Sequence, residues 1–126
     1  MPALVSELMR APTILPEATA EMGAAEAQMR ISDVRHLLVV DDAGRLAGII
    51  SRGDVMRALA REGHHPVRDY MTRRVFTVRP DAPAVQAVDI LLERGVGAVP
   101  VIDADEKPVG IVGEVDFLKL AREALS

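Results

Sequence analysis

The chain contains no cysteine and no tryptophan, and only two phenylalanines and one tyrosine among its 126 residues. Without cysteine there is no disulfide, no thiolate nucleophile and no cysteine-bound zinc. Three aromatic rings are too few for the stacking platforms that hold single-stranded nucleic acid. A net charge of −4 also argues against the basic face that a phosphate backbone requires. The charge is spread evenly, with seven basic and nine acidic side chains in residues 1–62 and eight and ten in residues 63–126. No apolar run approaches the ~18 residues of a membrane span, and the N-terminal MPALVSELMRAPT lacks the apolar centre of a signal peptide. The expectation is a soluble, cytoplasmic protein without nucleic acid or membrane among its partners.

What remains is aliphatic. Apolar residues make up 49% of the chain, so Val, Ile, Leu, Ala and Met must fill the core. A chain of this length buries roughly two thirds of the surface its unfolded form exposes.

Sliding the sequence against itself by 62 residues shows an internal repeat. Val5 and Met9 fall on Val67 and Met71. Val34, Val39, Asp41, Gly48, Ile49 and Asp54 fall on Val96, Val101, Asp103, Gly110, Ile111 and Asp116. Only the stretch around TILP and TVRP needs a two-residue adjustment. Apolar coincidences are cheap, but two glycine–aspartate pairs in register are not.

Each copy reads as β-α-β-β-α. A short amphipathic turn (VSELM, VRDYM) leads to a brief extended stretch ending in proline (TILP, FTVRP). A helix follows, over residues 18–30 in the first copy and 84–94 in the second, where Val85, Val88, Leu91 and Leu92 recur at helical spacing. Asp81 with Pro83 just after it forms an N-cap signal for the second of these. The runs HLLVV with LAGII, and AVPVI with PVGIV, are joined by the turn sequences DDAGR and DADEK and read as hairpins. DVMRALARE and VDFLKLAREAL close the copies as helices. Gly63 and Pro66 place a linker at residues 63–66, between a first copy over 1–62 and a second over 67–126.

The sequences YMTRRVFTVRPDAPAVQAVDILLERGVGAVPVIDADEKPVGIV and HLLVVDDAGRLAGIISRGDVMRALA resemble the two halves of a tandem CBS-domain pair, the Bateman module. The resemblance covers nearly the whole chain. It implies an α/β (α+β) fold of two β-α-β-β-α repeats packed about a pseudo-twofold axis, with two equivalent clefts between them. It further implies an adenosine-containing regulatory ligand (AMP, ADP, ATP or S-adenosylmethionine), pairing into a homodimer, and signalling to an unknown protein partner.

A carboxylate is acceptor-only and can take both hydroxyls of a ribose in charge-assisted bonds. The corner GIISRGD, residues 48–54, offers Ser51 and Asp54, which match the family's ribose-binding positions. Ser51 with Asp54 is equally a capping-box variant, and the two roles are compatible. The counterpart GIVGEVD keeps Asp116 but has Gly113 in place of the hydroxyl and Glu114 in place of Arg52. Arg35, His36 and Arg52 form the basic group nearest the first corner, where family members handle phosphates; taken singly, each is an ordinary surface charge. The second copy has Gly97 and Ala98 where the first has Arg35 and His36. For the adenine, Ile14, Leu15, Leu37 and Val39 in one copy and Thr77, Val78, Val99 and Pro100 in the other are candidates, as core residues that present backbone to a flat ring.

His64 and His65 are adjacent in the linker without a third ligand at useful spacing, so no metal site is assigned. No nucleophile–base–orienter set, P-loop or GxGxxG occurs, and no enzymatic activity is expected. Two other readings compete with ligand sensing. One is a ligand-free dimerisation and protein-interaction module, favoured by the altered second corner. The other is a phospho-accepting receiver, suggested by Asp41 and Asp42 at a strand end but at odds with the repeat.

Overall fold

The computed structural model describes residues 3–15 and 17–126. The proline that ends TILP, Pro16, lies outside the described residues. Packing divides the chain into two bodies: Thr13–Val75, and the segment before Thr13 together with Phe76–Ser126. The sequence repeats and the packed bodies are therefore offset. The linker at 63–66 separates the copies of the sequence, whereas the packing boundaries fall after Pro12 and after Val75. Residues 3–12, which open the first copy, pack with the sheet of the second.

In the first body, β1 (Ile14–Leu15) runs parallel to β2 (His36–Val40), which pairs antiparallel with β3 (Leu46–Ser51). Helices α2 (Met22–Ser32) and α3 (Arg52–Leu59) cover this sheet, following a short α1 (Val5–Leu8) that belongs to the other body. Leu15, Met22, Ala25, Met29, Leu37, Val39, Ile50, Val55, Ala58, Val67 and Met71 form its core. Helix α2 starts at Met22, four residues later than the pattern from Ala18 suggests. The carbonyls of Ala18 and Ala20 instead accept the N–H groups of Arg68 and Val67, both at 2.8 Å, so this stretch holds the segment after Pro66. Asp33 ends the helix in the left-handed region, at φ 53°. Gly63 adopts φ +97°, but α3 has already stopped at Leu59.

In the second body, β4 (Ala98–Ile102) and β5 (Pro108–Gly113) form a two-stranded antiparallel sheet, flanked by α4 (Ala84–Arg94) and α5 (Glu114–Leu125). The expected helix over 84–94 is present. The extended stretch FTVRP does not become a strand; it contributes a single parallel bridge, Val78 to Val101. Val78 donates to Pro100 at 3.1 Å and accepts from Ile102 at 3.0 Å, and Pro80, two residues on, has no N–H to continue the ladder. Nor does Asp81 cap α4. Pro83 is the N-cap residue, and the freed N–H of Ala84 donates to the Ala3 carbonyl at 2.7 Å. Val5, Val78, Ala87, Val99, Val101 and Val112 form the core, with Leu8, Met9 and Phe117 packed against it.

The hairpin turns are built alike. Asp41 Oδ1 accepts the N–H groups of Ala43 and Arg45, and Asp103 Oδ1 those of Asp105 and Lys107, at 2.9 and 3.0 Å in each case. The Arg45 N–H bond is the main cause that holds the Asp41 carboxyl below its ordinary value. The repeated glycines also have a steric reason. A Cβ on Gly48 would stand 2.8 Å from Met71 Sδ and 2.9 Å from the Thr72 carbonyl oxygen; on Gly110 it would stand 2.6 Å from Met9 Sδ. Each methionine of the repeat thus lies against the glycine of the other copy's sequence.

Candidate functional site

The two corners sit where a strand gives way directly to a helix. At the first, Ser51 is the last residue of β3 and the N-cap of α3. Its Oγ accepts the Asp54 N–H at 3.2 Å, while Asp54 Oδ2 accepts both the Ser51 N–H and the Ser51 hydroxyl at 2.8 Å. Asp54 Oδ1 accepts from Arg57 Nη2, one turn further along the same helix. The capping box is therefore complete. Asp54 is the single buried charged residue among those described, 9% exposed. Its carboxylate is held at a helix N-terminus, where unpaired N–H groups and the helix dipole favour negative charge.

The second corner repeats half of this arrangement. Asp116 Oδ2 accepts the Gly113 N–H at 2.8 Å, which fixes the carboxylate in the same place relative to the strand end. The missing hydroxyl is a steric necessity, because a Cβ on Gly113 would lie 2.7 Å from the Gly97 carbonyl oxygen. Asp116 Oδ1 accepts from Arg10 Nε at 2.8 Å, across 106 residues of sequence. Both corners thus hold a carboxylate side chain no more than 12% exposed, with one oxygen tied to the strand end and the other facing a guanidinium.

The β2–β3 register brings the expected polar residues of the first copy to one end of the hairpin. His36 is paired with Ser51, and the Arg52 N–H donates to the Arg35 carbonyl at 2.9 Å. The side chains then diverge. Arg35 and Arg52 line a cavity of about 440 Å³ in the first body, shared with Glu26, Met29, Arg30, Asp33, Val34, Val55 and Met56, and neither Ser51 nor Asp54 belongs to its wall. Arg52, Val55 and Met56 lie on the helix face turned to α2, while Asp54 points back to the strand end. Arg35 and Arg52 are exposed.

Of the adenine candidates, Leu15, Leu37, Val39, Val78, Val99 and Pro100 are buried core residues. The backbone groups of Val78 are already committed. Ile14 is 36% exposed and Thr77 half-buried, so these two retain surface to offer. The His65 ring lies between the Arg61 carbonyl and the Tyr70 hydroxyl, each at 2.9 Å, and no group of metal-ligating side chains occurs among the described residues. No helix among them is long and apolar enough to cross a membrane.

Sequence reasoning missed Arg57 and Arg10. The first has a local signal, an Arg three residues after an Asp on one helix. The second has none.

A duplicated hairpin-and-helix unit with an aspartate fixed at each strand-to-helix corner defines an α/β tandem-repeat module. The chain belongs to the CBS domain family, whose model matches residues 5–61 and 67–123. It is similar to the L-aspartate semialdehyde sulfurtransferase of Methanosarcina acetivorans, 39% identical over 85 residues that make up 68% of this chain and 17% of that protein. Among solved structures it is similar to the CBS domain pair of protein MJ0100 in complex with 5′-methylthioadenosine and S-adenosyl-L-methionine. That likeness has a TM-score of 0.91 at 28% identity and covers 98% of this chain and 99% of the other. It is also similar to CBSX2 in complex with AMP, with a TM-score of 0.81 at 25% identity over 98% of both chains. The chain spans only about a fifth of the length of the first relatives it matches, which include enzymes.

Proposed function

We propose that this chain is a non-catalytic, cytoplasmic regulatory module that holds an adenosine-containing ligand at its strand-to-helix corners and passes the occupancy to a protein partner. The observation that carries this reading is the buried Asp54 carboxylate, fixed by Ser51 at the N-terminus of α3. Its Oδ2 is committed to the cap. Its Oδ1 faces only Arg57, whose side chain is 68% exposed, and ion pairs of that kind contribute about 1 kcal/mol or less. A ribose diol can therefore take Oδ1 at small cost. Ser51 keeps a lone pair to accept from the ribose; Arg35, His36 and Arg52 stand at the same end of the hairpin, and Arg35 and Arg52 would turn from the cavity beside α2 to receive phosphates. Asp116 provides a second carboxylate. Ile14 and Thr77 are the candidates with surface left for an adenine, while Leu15, Leu37, Val78, Val99 and Pro100 would contribute rigidity beneath it. The similar CBS domain pairs whose structures hold AMP, S-adenosyl-L-methionine and 5′-methylthioadenosine support the ligand class.

Exposed apolar side chains on the helices, such as Ile31 and Met56 in the first body and Leu92 and Leu118 in the second, support a homodimer. The same surfaces favour the second reading, a ligand-free dimerisation and interaction module.

Thermal unfolding with added AMP, ADP, ATP or S-adenosylmethionine separates the two. A ligand that binds the folded form at a hundred times its Kd stabilises it by about 2.7 kcal/mol, so Tm rises with concentration. An unchanged Tm with all four up to millimolar concentration overturns the sensing reading and leaves the interaction module.

A further inference from the structure

The cations that face the two corner carboxylates come from different places. At Asp54 the partner is Arg57, an exposed side chain three residues along the same helix. Its counterpart in the second copy is Lys119, which makes no ion pair among the described residues. At Asp116 the partner is Arg10, from the segment that opens the chain. The Arg10 backbone is clamped to β5: its N–H donates to the Ile111 carbonyl and its carbonyl accepts the Ile111 N–H, both at 2.9 Å. Thr72 makes the same two bonds to Ile49 in the first body, but it carries no charge. Arg10 thus reaches Asp116 from a fixed base, half-exposed at 49% while the carboxylate beneath it is 8% exposed.

We infer that Arg10 is a latch on the second corner: it occupies the Asp116 oxygen that a ribose would use and restricts ligand entry there. This rests on the reading that the corners bind adenosine-containing ligands. Oδ2 of Asp116 is bonded to Gly113, so Oδ1 is the acceptor left for an incoming hydroxyl, and Arg10 Nε holds it. Removing Arg57 from Asp54 frees one exposed side chain. Both bonds are charge-assisted, but Arg10 is less exposed than Arg57, 49% against 68%, and its backbone is clamped to β5, so displacing it from Asp116 takes more. The second corner therefore admits ligand less readily than the first, and filling it loosens the segment around Met9 and Arg10.

The test has a ligand-free arm and a ligand arm. Without ligand, hydrogen exchange at the Met9 and Arg10 amides is compared in wild type, Arg10→Gln and Asp116→Asn. Amides of Val99 and Val112 report whether the core stays folded. Faster exchange at Met9 and Arg10 in the variants, with the core amides unchanged, is the expected result. Unchanged exchange in Arg10→Gln overturns the latch, and this variant decides even where Asp116→Asn perturbs the core. With AMP as probe, Asp54→Asn silences the first corner, and binding is compared with and without Arg10→Gln. The double variant should bind AMP about 5- to 10-fold more tightly. Equal or weaker binding, or no binding by either while wild type binds, overturns the latch. If wild type, Asp54→Asn and the double variant all fail to bind any adenosine-containing ligand, it is the sensing reading that fails; the exchange arm still decides whether Arg10 is held.

Discussion

Replacing Gly48 with alanine tests why both copies carry a glycine in β3 and β5. The added Cβ would stand 2.8 Å from Met71 Sδ and 2.9 Å from the Thr72 carbonyl oxygen, each well inside ordinary van der Waals contact. The sulfur sits on a flexible side chain and can yield. The carbonyl cannot move freely, because Thr72 and Ile49 exchange two backbone bonds at 2.9 and 3.0 Å. Overpacking of this kind costs about 1–3 kcal/mol. Replacing glycine where φ is ordinary returns about 0.4–1 kcal/mol by narrowing the unfolded ensemble. The net expectation is a destabilisation of about 1–2 kcal/mol, measured by urea unfolding followed by circular dichroism. Adding Met71→Ala should recover only the part owed to the sulfur. At Gly110 the nearest atoms all belong to the Met9 side chain, so Met9→Ala should recover more of the cost of Gly110→Ala. A Gly48→Ala protein within 0.5 kcal/mol of wild type, or equal recovery at both glycines, would refute the steric reasoning.

Gly113→Ser restores the hydroxyl that the second corner lacks, yet it should destabilise the protein by about 1–3 kcal/mol because its Cβ meets the Gly97 carbonyl; urea unfolding measures this. Ser51→Ala removes the N-cap of α3 and should cost about 0.5–2 kcal/mol, read in the same assay. The Asp41 carboxyl is held below its ordinary 3.8, so its support for the hairpin turn is present above that value and is lost as pH falls through the lower folded value. An NMR titration of Asp41 should place its midpoint below that of an unstructured aspartate.

Much of this structure was legible because the chain states it twice. The hairpins, the helix over 84–94 and both aspartate corners follow from patterns of a few residues compared at an offset of 62. The departures come from long-range backbone partners. Helix α2 starts late because Ala18 and Ala20 serve the segment after Pro66, and FTVRP stays a single bridge because its ladder stops before Pro80. The offset between repeats and packed bodies was illegible for the same reason: Met9 lies against Gly110 and Met71 against Gly48. At the corners, the cap and the carboxylate were readable, and Arg57 could have been. Arg10 could not, since 106 residues separate it from Asp116 and no periodicity links them. Arg35 and Arg52 share the end of the hairpin with Ser51 and Asp54, but their side chains take another direction, which the one-dimensional pattern does not carry. Adjacent residues at a helix start project to different faces, and the two arginines turn into the cavity beside α2.

The central claim is that Asp54 anchors an adenosine-containing ligand, and isothermal titration of AMP, ADP, ATP and S-adenosylmethionine into wild type and Asp54→Asn tests it most directly. Wild type should bind at least one of them below millimolar. Loss of a hydrogen bond to a charged group, about 1.5–3 kcal/mol, should weaken that binding at least about tenfold in Asp54→Asn. Binding that is unchanged by the substitution would contradict the assignment of Asp54, and no binding of any of the four below millimolar would contradict the account itself.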